Sequence, residues 1–267
     1  MLAFANAKIN LGLNITAKRS DGYHNLETVF YSIKLYDVIE LIDADETSCI
    51  IKGIEIPGNS ADNICLKAFR ALQSDFDLPN QQLILLKNIP VGAGLGGGSA
   101  DAAFLIKLVN KKFNLGLSVE QMQNYVRVLG ADCAFFIENK PTFAFGKGDE
   151  FEALNIDLSH YFMVLVKPTI HVSTAEAYSK VQVKQPITSL KELIKLPLTD
   201  WKANIVNDFE PSVFDKYPKI NEIKTQLYAA GATFALMSGS GSSVFAIFEK
   251  EVKLPDLEKN NLVFYNI

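Results

Sequence analysis

The chain has only three cysteines, Cys49, Cys65 and Cys133, in 267 residues, and none of them forms a C-x-x-C pair. An odd, scattered set of thiols supplies neither a disulfide framework nor a zinc site, and it fits a reducing compartment. Histidine is equally scarce: His24, His160 and His171 have no metal-ligand spacing. Basic residues do not exceed acidic ones, 26 against 30 for a net charge of −4, and no basic stripe carries interleaved aromatics. That removes the electrostatic footprint of a nucleic-acid binder. Long apolar runs are missing too. The longest, Tyr161 to Val166, falls far short of the roughly 20 residues a membrane helix needs. The opening MLAFANAKIN has no basic segment ahead of an apolar stretch. A cytoplasmic protein with no membrane and no nucleic-acid partner is expected.

What the chain does have is glycine in one place. From Gly92 to Gly98, five of seven residues are glycine, with the apolar run Leu83 to Leu86 before them and a periodic segment after. Glycine lets backbone N–H groups approach a ligand with no side chain in the way. A helix N-terminus adds unpaired N–H groups and the positive end of its dipole. The combination is a phosphate-binding loop in the physical sense. It is not a Walker A motif, because no Gly-Lys-Ser/Thr closes it. It contains G-x-G-x-x-G as Gly92, Gly94 and Gly97, but a dinucleotide site needs a strand with an acidic tip about twenty residues on. The chain there reads FNLGLSVEQMQNYVRVLG, a second helix with a Ser118–Gln121 capping box and Met122, Tyr125, Val126 and Leu129 at helical spacing. A protein-kinase loop fails as well, since no V-A-I-K lysine follows.

At 48% apolar the chain supports a full core, and its length suits two modest domains or one large one. Ile9, Leu11, Leu13 and Ile15 alternate with Lys8, Asn10, Gly12 and Asn14, which predicts a half-buried strand with Lys8 and Asn10 on its polar face. A turn at Ser20–Gly22 and strands at Val29–Leu35 and Val38–Ile42 follow. Asp62 is positioned to cap a helix facing inward through Cys65, Ala68, Phe69 and Leu72. Ser99 is positioned to cap one facing inward through Ala102, Leu105, Ile106, Val109 and Phe113. The pattern changes near residues 145 to 160. Beyond it come a strand at Tyr161–Val166, a capping box at Ser173–Glu176, a short helix near Leu190–Ile194 and a longer one through Ile220, Ile223 and Leu227. Two strands, Thr233–Met237 and Val244–Phe248, are then joined by SGSGSS. The second half reads as a separate α+β domain.

Several residues are open to two readings. Asp132 follows the helix-ending Gly130, and helix N-cap is the commoner role for such an aspartate; the other is a carboxylate that accepts a proton beside the phosphate loop. Lys8 is either a solvated strand residue or a sheltered cation that needs an acid partner. Tyr23-His24 after the turn is ambiguous, since a lone histidine beside a tyrosine is usually structural. The SGSGSS hairpin is a tight turn or a second backbone surface against a ligand.

Together these segments form an ordered series. Lys8 and Asn10 lie in AKINLGL, and Tyr23 and His24 in KRSDGYHNLETVF. PVGAGLGGGSADAA runs from Pro90 to Ala103, GADCAFFI from Gly130 to Ile137 and MSGSGSSVFAIF from Met237 to Phe248. The series resembles the GHMP kinase superfamily and covers most of the chain. The AK-x-N-L start, the DGYH segment and the triple-glycine loop are most similar to the branch acting on a cytidylyl-linked methylerythritol. The resemblance implies a two-domain α+β fold, residues 1–152 forming an N-terminal α/β domain and 153–267 a ferredoxin-like C-terminal domain. It implies ATP with Mg2+ as phosphoryl donor and transfer to the 2-hydroxyl of that small molecule, as in non-mevalonate isoprenoid synthesis. Lys8 and Asp132 match the catalytic pair. The ATP loop would be Pro90, Val91, Gly92, Ala93, Gly94, Leu95, Gly96, Gly97, Gly98, Ser99 and Ala100. Asn10 matches a substrate contact near the transferred group. Tyr23 and His24 match residues that stack on and hydrogen-bond the cytosine, Tyr178 an aromatic on its other side, and Thr174 a nearby polar contact. Departures from the family pattern are Ala93 for a glycine, Ala134 for a proline, and Ser238 and Ser240 for threonines. The alternatives are a sibling kinase for mevalonate or homoserine, whose small acyclic substrates offer no ring to stack, and a non-catalytic nucleotide-binding module.

Overall fold

The alternation around Lys8 becomes a long strand, β1 (Leu2–Lys18), but it is not half-buried. Lys8, Asn10 and Asn14 are as shielded as the apolar residues between them, so both faces of β1 are covered. The turn at Ser20–Gly22 forms as expected, with the Arg19 N–H donating to Tyr23 O, and leads into β2 (His24–Asp43). This is one strand where two were expected. Between the two expected strands the fully buried Asp37 carboxylate accepts the N–H groups of Asn88 and Ile89, so the chain stays extended through it.

The computed structural model describes residues 1–56 and 63–267. Its contacts divide the chain into two compact units that do not follow it linearly. One comprises residues 1–8, 32–91 and 96–140; the other comprises 9–31, 92–95 and 141–267.

In the first unit, β3 (Ser48–Gly53) runs parallel to β4 (Gln81–Lys87), with Cys49 opposite Leu83. β4 lies antiparallel to the later half of β2, with Val38 opposite Leu86. Helices α1 (Ile64–Phe76), α2 (Gly97–Lys112), α3 (Val119–Arg127) and α4 (Phe135–Glu138) complete it. The predicted inward faces hold except at one position: Cys65, Ala68, Phe69 and Leu72 of α1 are buried, as are Ala102, Leu105, Ile106 and Val109 of α2, while Phe113 is the C-cap of α2 and only half-buried. The Ser118–Gln121 box caps α3 with both of its hydrogen bonds. The cap of α1 is Asn63, whose side chain accepts from the Cys65 N–H; Asp62 lies outside the described residues.

In the second unit, β5 (Thr142–Phe145) pairs antiparallel with the early half of β2 and with β6 (Glu150–Ala153). The rest is an antiparallel sheet in the order β10–β7–β9–β8, from β7 (Phe162–Pro168), β8 (Phe234–Met237), β9 (Val244–Phe248) and β10 (Asn261–Tyr265). Around it are α5 (Thr174–Ser179), α6 (Leu190–Leu193), α7 (Leu198–Asn204), α8 (Glu210–Lys216), α9 (Pro218–Ala229) and α10 (Pro255–Glu258). Val164, Val166, Phe209, Ile220, Ile223, Leu227, Met237 and Val244 form part of one buried cluster. Only half of the Ser173–Glu176 box forms. Ser173 accepts the Glu176 N–H, but the Glu176 carboxylate goes to Lys216 at 2.6 Å, a stronger charged partner. No helix among the described residues is long and apolar enough to cross a membrane.

Candidate active site

Gly92, Gly94 and Gly96 adopt positive φ of 61°, 76° and 68°, and Gly97 and Gly98 already belong to α2. The backbone therefore uses alternate glycines for left-handed turns, a pattern unrelated to the spacing of a dinucleotide motif. Gly94 needs its missing side chain most: a Cβ there would stand 2.0 Å from Ser238 O. Ala93, the departure from the family pattern, is not among the left-handed residues, so its methyl group carries no backbone strain.

The N-cap of α2 is Gly96, not Ser99, and no side chain caps it. The first turn closes three residues earlier than expected, by the Ala100 N–H donating to Gly96 O at 2.8 Å. This leaves the N–H groups of Gly97, Gly98 and Ser99 without intrahelical acceptors, aimed out of the helix start. Gly98 is the informative one. A Cβ built on it meets nothing within 4 Å, and its φ is not left-handed, so neither packing nor backbone conformation calls for glycine there. A glycine in a helix costs about 1 kcal/mol against alanine, and no contact in the fold offsets that cost at Gly98.

Ser99 points elsewhere. Its hydroxyl donates to Asp132 Oδ1 at 2.7 Å. Asp132 in turn is not a helix cap, since α4 begins after Ala134 with no side-chain cap. The bland reading of Asp132 is therefore corrected: the turn from Gly130 to Ala134 carries its carboxylate to Ser99. Ala134 stands at φ −65°, the value a proline would impose, so the turn keeps its shape without one. Lys8 is 5% exposed and lies along the loop end, where a Cβ on Gly96 would come 3.1 Å from its Cε. Burial pulls the Lys8 pKa down to about 8, and the nearby Asp132 charge partly offsets that. Cys133, beside Asp132, is inert: burial foremost, and then the Asp132 charge, push its thiol up to about 12. Removing the Ser99 hydroxyl frees the Asp132 carboxylate to rotate. Ser99→Ala is expected to lower kcat roughly tenfold, the effect of one hydrogen bond to a charged group, with KM for ATP little changed.

In the second unit, Ser238 of the glycine hairpin donates to Gly94 O at 2.8 Å and accepts the Asn10 N–H at 3.2 Å. Asn10 is buried, and its amide donates to Thr28 Oγ1 at 2.8 Å. The His24 and Tyr178 rings stack directly, centroids 5.1 Å apart, and Phe209 meets Tyr178 edge-on at 4.8 Å. Tyr23 is 64% exposed, with the Lys147 ammonium 5.4 Å from its ring centroid. Thr174 lies 3.4 Å from Ser240, hydroxyl to hydroxyl.

Sequence reasoning missed Asn207. Its buried amide donates to Met237 O and Gly239 O, at 2.7 and 2.8 Å, and so holds the base of the hairpin. The only signal was an Asn-Asp pair between apolar runs, indistinguishable from a surface turn. It missed Lys87 too, which pairs with Asp37 and Asp101 in the interior of the first unit.

Residues 63–140 match the family model for the GHMP kinases N-terminal domain, and 188–260 that for the GHMP kinases C-terminal domain. The chain belongs to the GHMP kinase family. Among curated GHMP kinases, it is 53% identical over 262 residues to the 4-diphosphocytidyl-2-C-methyl-D-erythritol kinase of Bacteroides fragilis strain YCH46, covering 97% of this chain and 96% of that one. A crystal structure of 4-(cytidine 5'-diphospho)-2C-methyl-D-erythritol kinase matches with a TM-score of 0.84 at 27% identity, over 99% and 98% of the two chains. A mevalonate kinase crystal structure matches at 0.74 and 17% identity, over 99% and 98%, which shows the shared GHMP fold alone.

Proposed function

We propose that this GHMP kinase transfers the γ-phosphoryl group of ATP to the 2-hydroxyl of 4-diphosphocytidyl-2-C-methyl-D-erythritol. The observation that carries this reading is the 53% identity, end to end, with a curated enzyme of that name. The Lys8–Asp132–Ser99 arrangement supports phosphoryl transfer in particular, because it brings a cation and a carboxylate to the start of α2, where phosphates would lie. Tyr23, His24, Tyr178 and Thr174 are the residues that would hold the cytidylyl group. Tyr178 suits a stacking role since His24 and Phe209 already fix its ring. A substrate such as mevalonate has no ring to use it. The family matches fall on either side of residue 152, which supports a sequence border there.

ATP enters as its Mg2+ complex. Among the described residues no three His, Cys, Asp or Glu side chains gather to hold a metal ion. Mg2+ in such sites usually keeps several waters and is held largely by the phosphate oxygens. The N–H groups at the start of α2 hold the phosphates, and Lys8 stabilises charge on the transferred oxygens. Asp132 orients the acceptor hydroxyl. It takes the proton late, because bond formation to the acceptor lags in a loose transition state.

The test is incubation with Mg·ATP and, separately, the cytidylyl methylerythritol, mevalonate or homoserine, with detection of a mass gain of one phosphate. Gain on mevalonate or homoserine alone overturns the acceptor, and gain on none overturns the kinase reading. A pH dependence follows from Lys8. Its protonated form is the active one, so kcat/KM for the acceptor, measured at saturating ATP, is expected to fall as pH rises through about 8.

A further inference from the structure

Three charged side chains with no part in that scheme meet inside the first unit. Lys87, at the end of β4, is 2% exposed; it pairs with Asp37 of β2 and, at 2.6 Å, with Asp101 of α2. The other oxygen of Asp37 accepts the N–H groups of Asn88 (2.6 Å) and Ile89 (2.8 Å), the residues that lead into the glycine loop. The Lys87 ammonium also lies against the far end of that loop, since a Cβ on Gly97 would stand 3.4 Å from Nζ. Asp101 Oδ1 is buried and has no hydrogen-bond partner.

Two carboxylates around one ammonium are neutral with one proton aboard and carry −1 without it. Asp101 is where that proton belongs. Its bare oxygen is far costlier to bury as part of a carboxylate than as part of an acid. Burial foremost raises its pKa to about 8, with Lys87 opposing and Asp37 adding. For Lys87, burial works downward, but the two carboxylates outweigh it and hold the ammonium charged. The other titratable groups toward Asp101 are Cys65 of α1 and Cys49 of β3; burial raises both thiols, so both are neutral here.

We propose that Lys87 is a positioning residue for ATP, and that the Asp37–Lys87–Asp101 cluster sets the electrostatic potential at the start of α2 where the phosphates bind. The inference rests on the reading of ATP as donor. With Asp101 protonated the cluster is neutral, and the N–H groups of Gly97 and Gly98 face the anion unopposed. Once Asp101 ionises, a net negative charge stands beneath them and phosphate affinity falls.

The experiment is calorimetric binding of a non-hydrolysable ATP analogue, with Mg2+, across pH, in wild type and Asp101→Asn. Wild-type Kd is expected to rise roughly tenfold as the pH passes through the Asp101 pKa, the order of effect of one added charge in a site shielded from water. Asp101→Asn, neutral and of the same shape, is expected to flatten most of that rise. Lys8 titrates in both proteins, so the difference between the profiles isolates Asp101. Superimposable profiles overturn the proposal. Infrared spectra of the wild-type protein are a second measurement that needs no variant. A buried carboxylic-acid carbonyl band is expected below pH 8 and should vanish above it; its absence also overturns the proposal. Neither measurement involves an acceptor, so an error in the acceptor assignment is detected separately, by the phosphorylation assay.

Discussion

Asp132→Asn is expected to lower kcat by roughly 10²–10⁴-fold, the usual range for loss of a positioned general base. The amide keeps the size of the side chain and can still receive the Ser99 hydroxyl, so the loop and the first turn of α2 stay in place. KM for ATP therefore changes little, and the loss lies in kcat, as it does when an interaction made in the transition state is removed. In a loose transition state the proton leaves late, so Asp132 does more as an orienting group than as a proton acceptor, which places the effect toward the lower end. Turnover within a few-fold of wild type, measured as phosphorylated acceptor by mass, removes Asp132 from the mechanism.

The second large effect is one of stability, and it comes from the same substitution made at two glycines four residues apart. Gly94→Ala puts a methyl group 2.0 Å from the Ser238 carbonyl oxygen, at a φ of 76°. Left-handed backbone alone costs a non-glycine residue about 1–3 kcal/mol, and the clash with a main-chain atom adds to that. A loss of ~3 kcal/mol or more corresponds to a fall of about 6–12 °C in Tm for a chain of this size. Gly98→Ala meets no atom within 4 Å and relieves a helical glycine. Its Tm is expected to hold or rise slightly. Its KM for ATP, however, should increase at least about fivefold, the effect of roughly 1 kcal/mol of lost binding. Differential scanning calorimetry and ATP titrations on the two variants separate a glycine needed by the fold from one needed by the ligand. A Gly98→Ala protein with unchanged KM would falsify the assignment of that opening to the nucleotide.

Much of this was legible in the chain because it depends on local periodicity. The strand containing Lys8, the inward faces of α1 and α2, the Ser118 capping box and the hairpin joining β8 to β9 all follow from alternation or 3.6-residue spacing. The second helix after the loop excluded the dinucleotide reading by sequence alone, and the ordered series of short motifs pointed to the family. The failures share one cause. Ser99 as a cap, Asp132 as a cap and a gap between strands from Leu35 to Val38 were each assigned from the neighbouring few residues. In each case the side chain bonds to a group that is not a sequence neighbour: Asp132 for Ser99, and for Asp37 the N–H groups fifty-one and fifty-two positions away.

Sequence by itself determined that a glycine-rich loop meets a helix start, that a strand carrying a lysine and a later aspartate accompany it, and to which family such a series belongs. Only the tertiary structure decided which glycines turn the backbone and which leave room, where Ser99 sends its hydroxyl, and that Lys8 and Lys87 are buried. The physical reason is desolvation. A lysine in a sequence carries the same charge wherever it stands, whereas its pKa, its partners and its use as a cation depend on the water that folding removes around it.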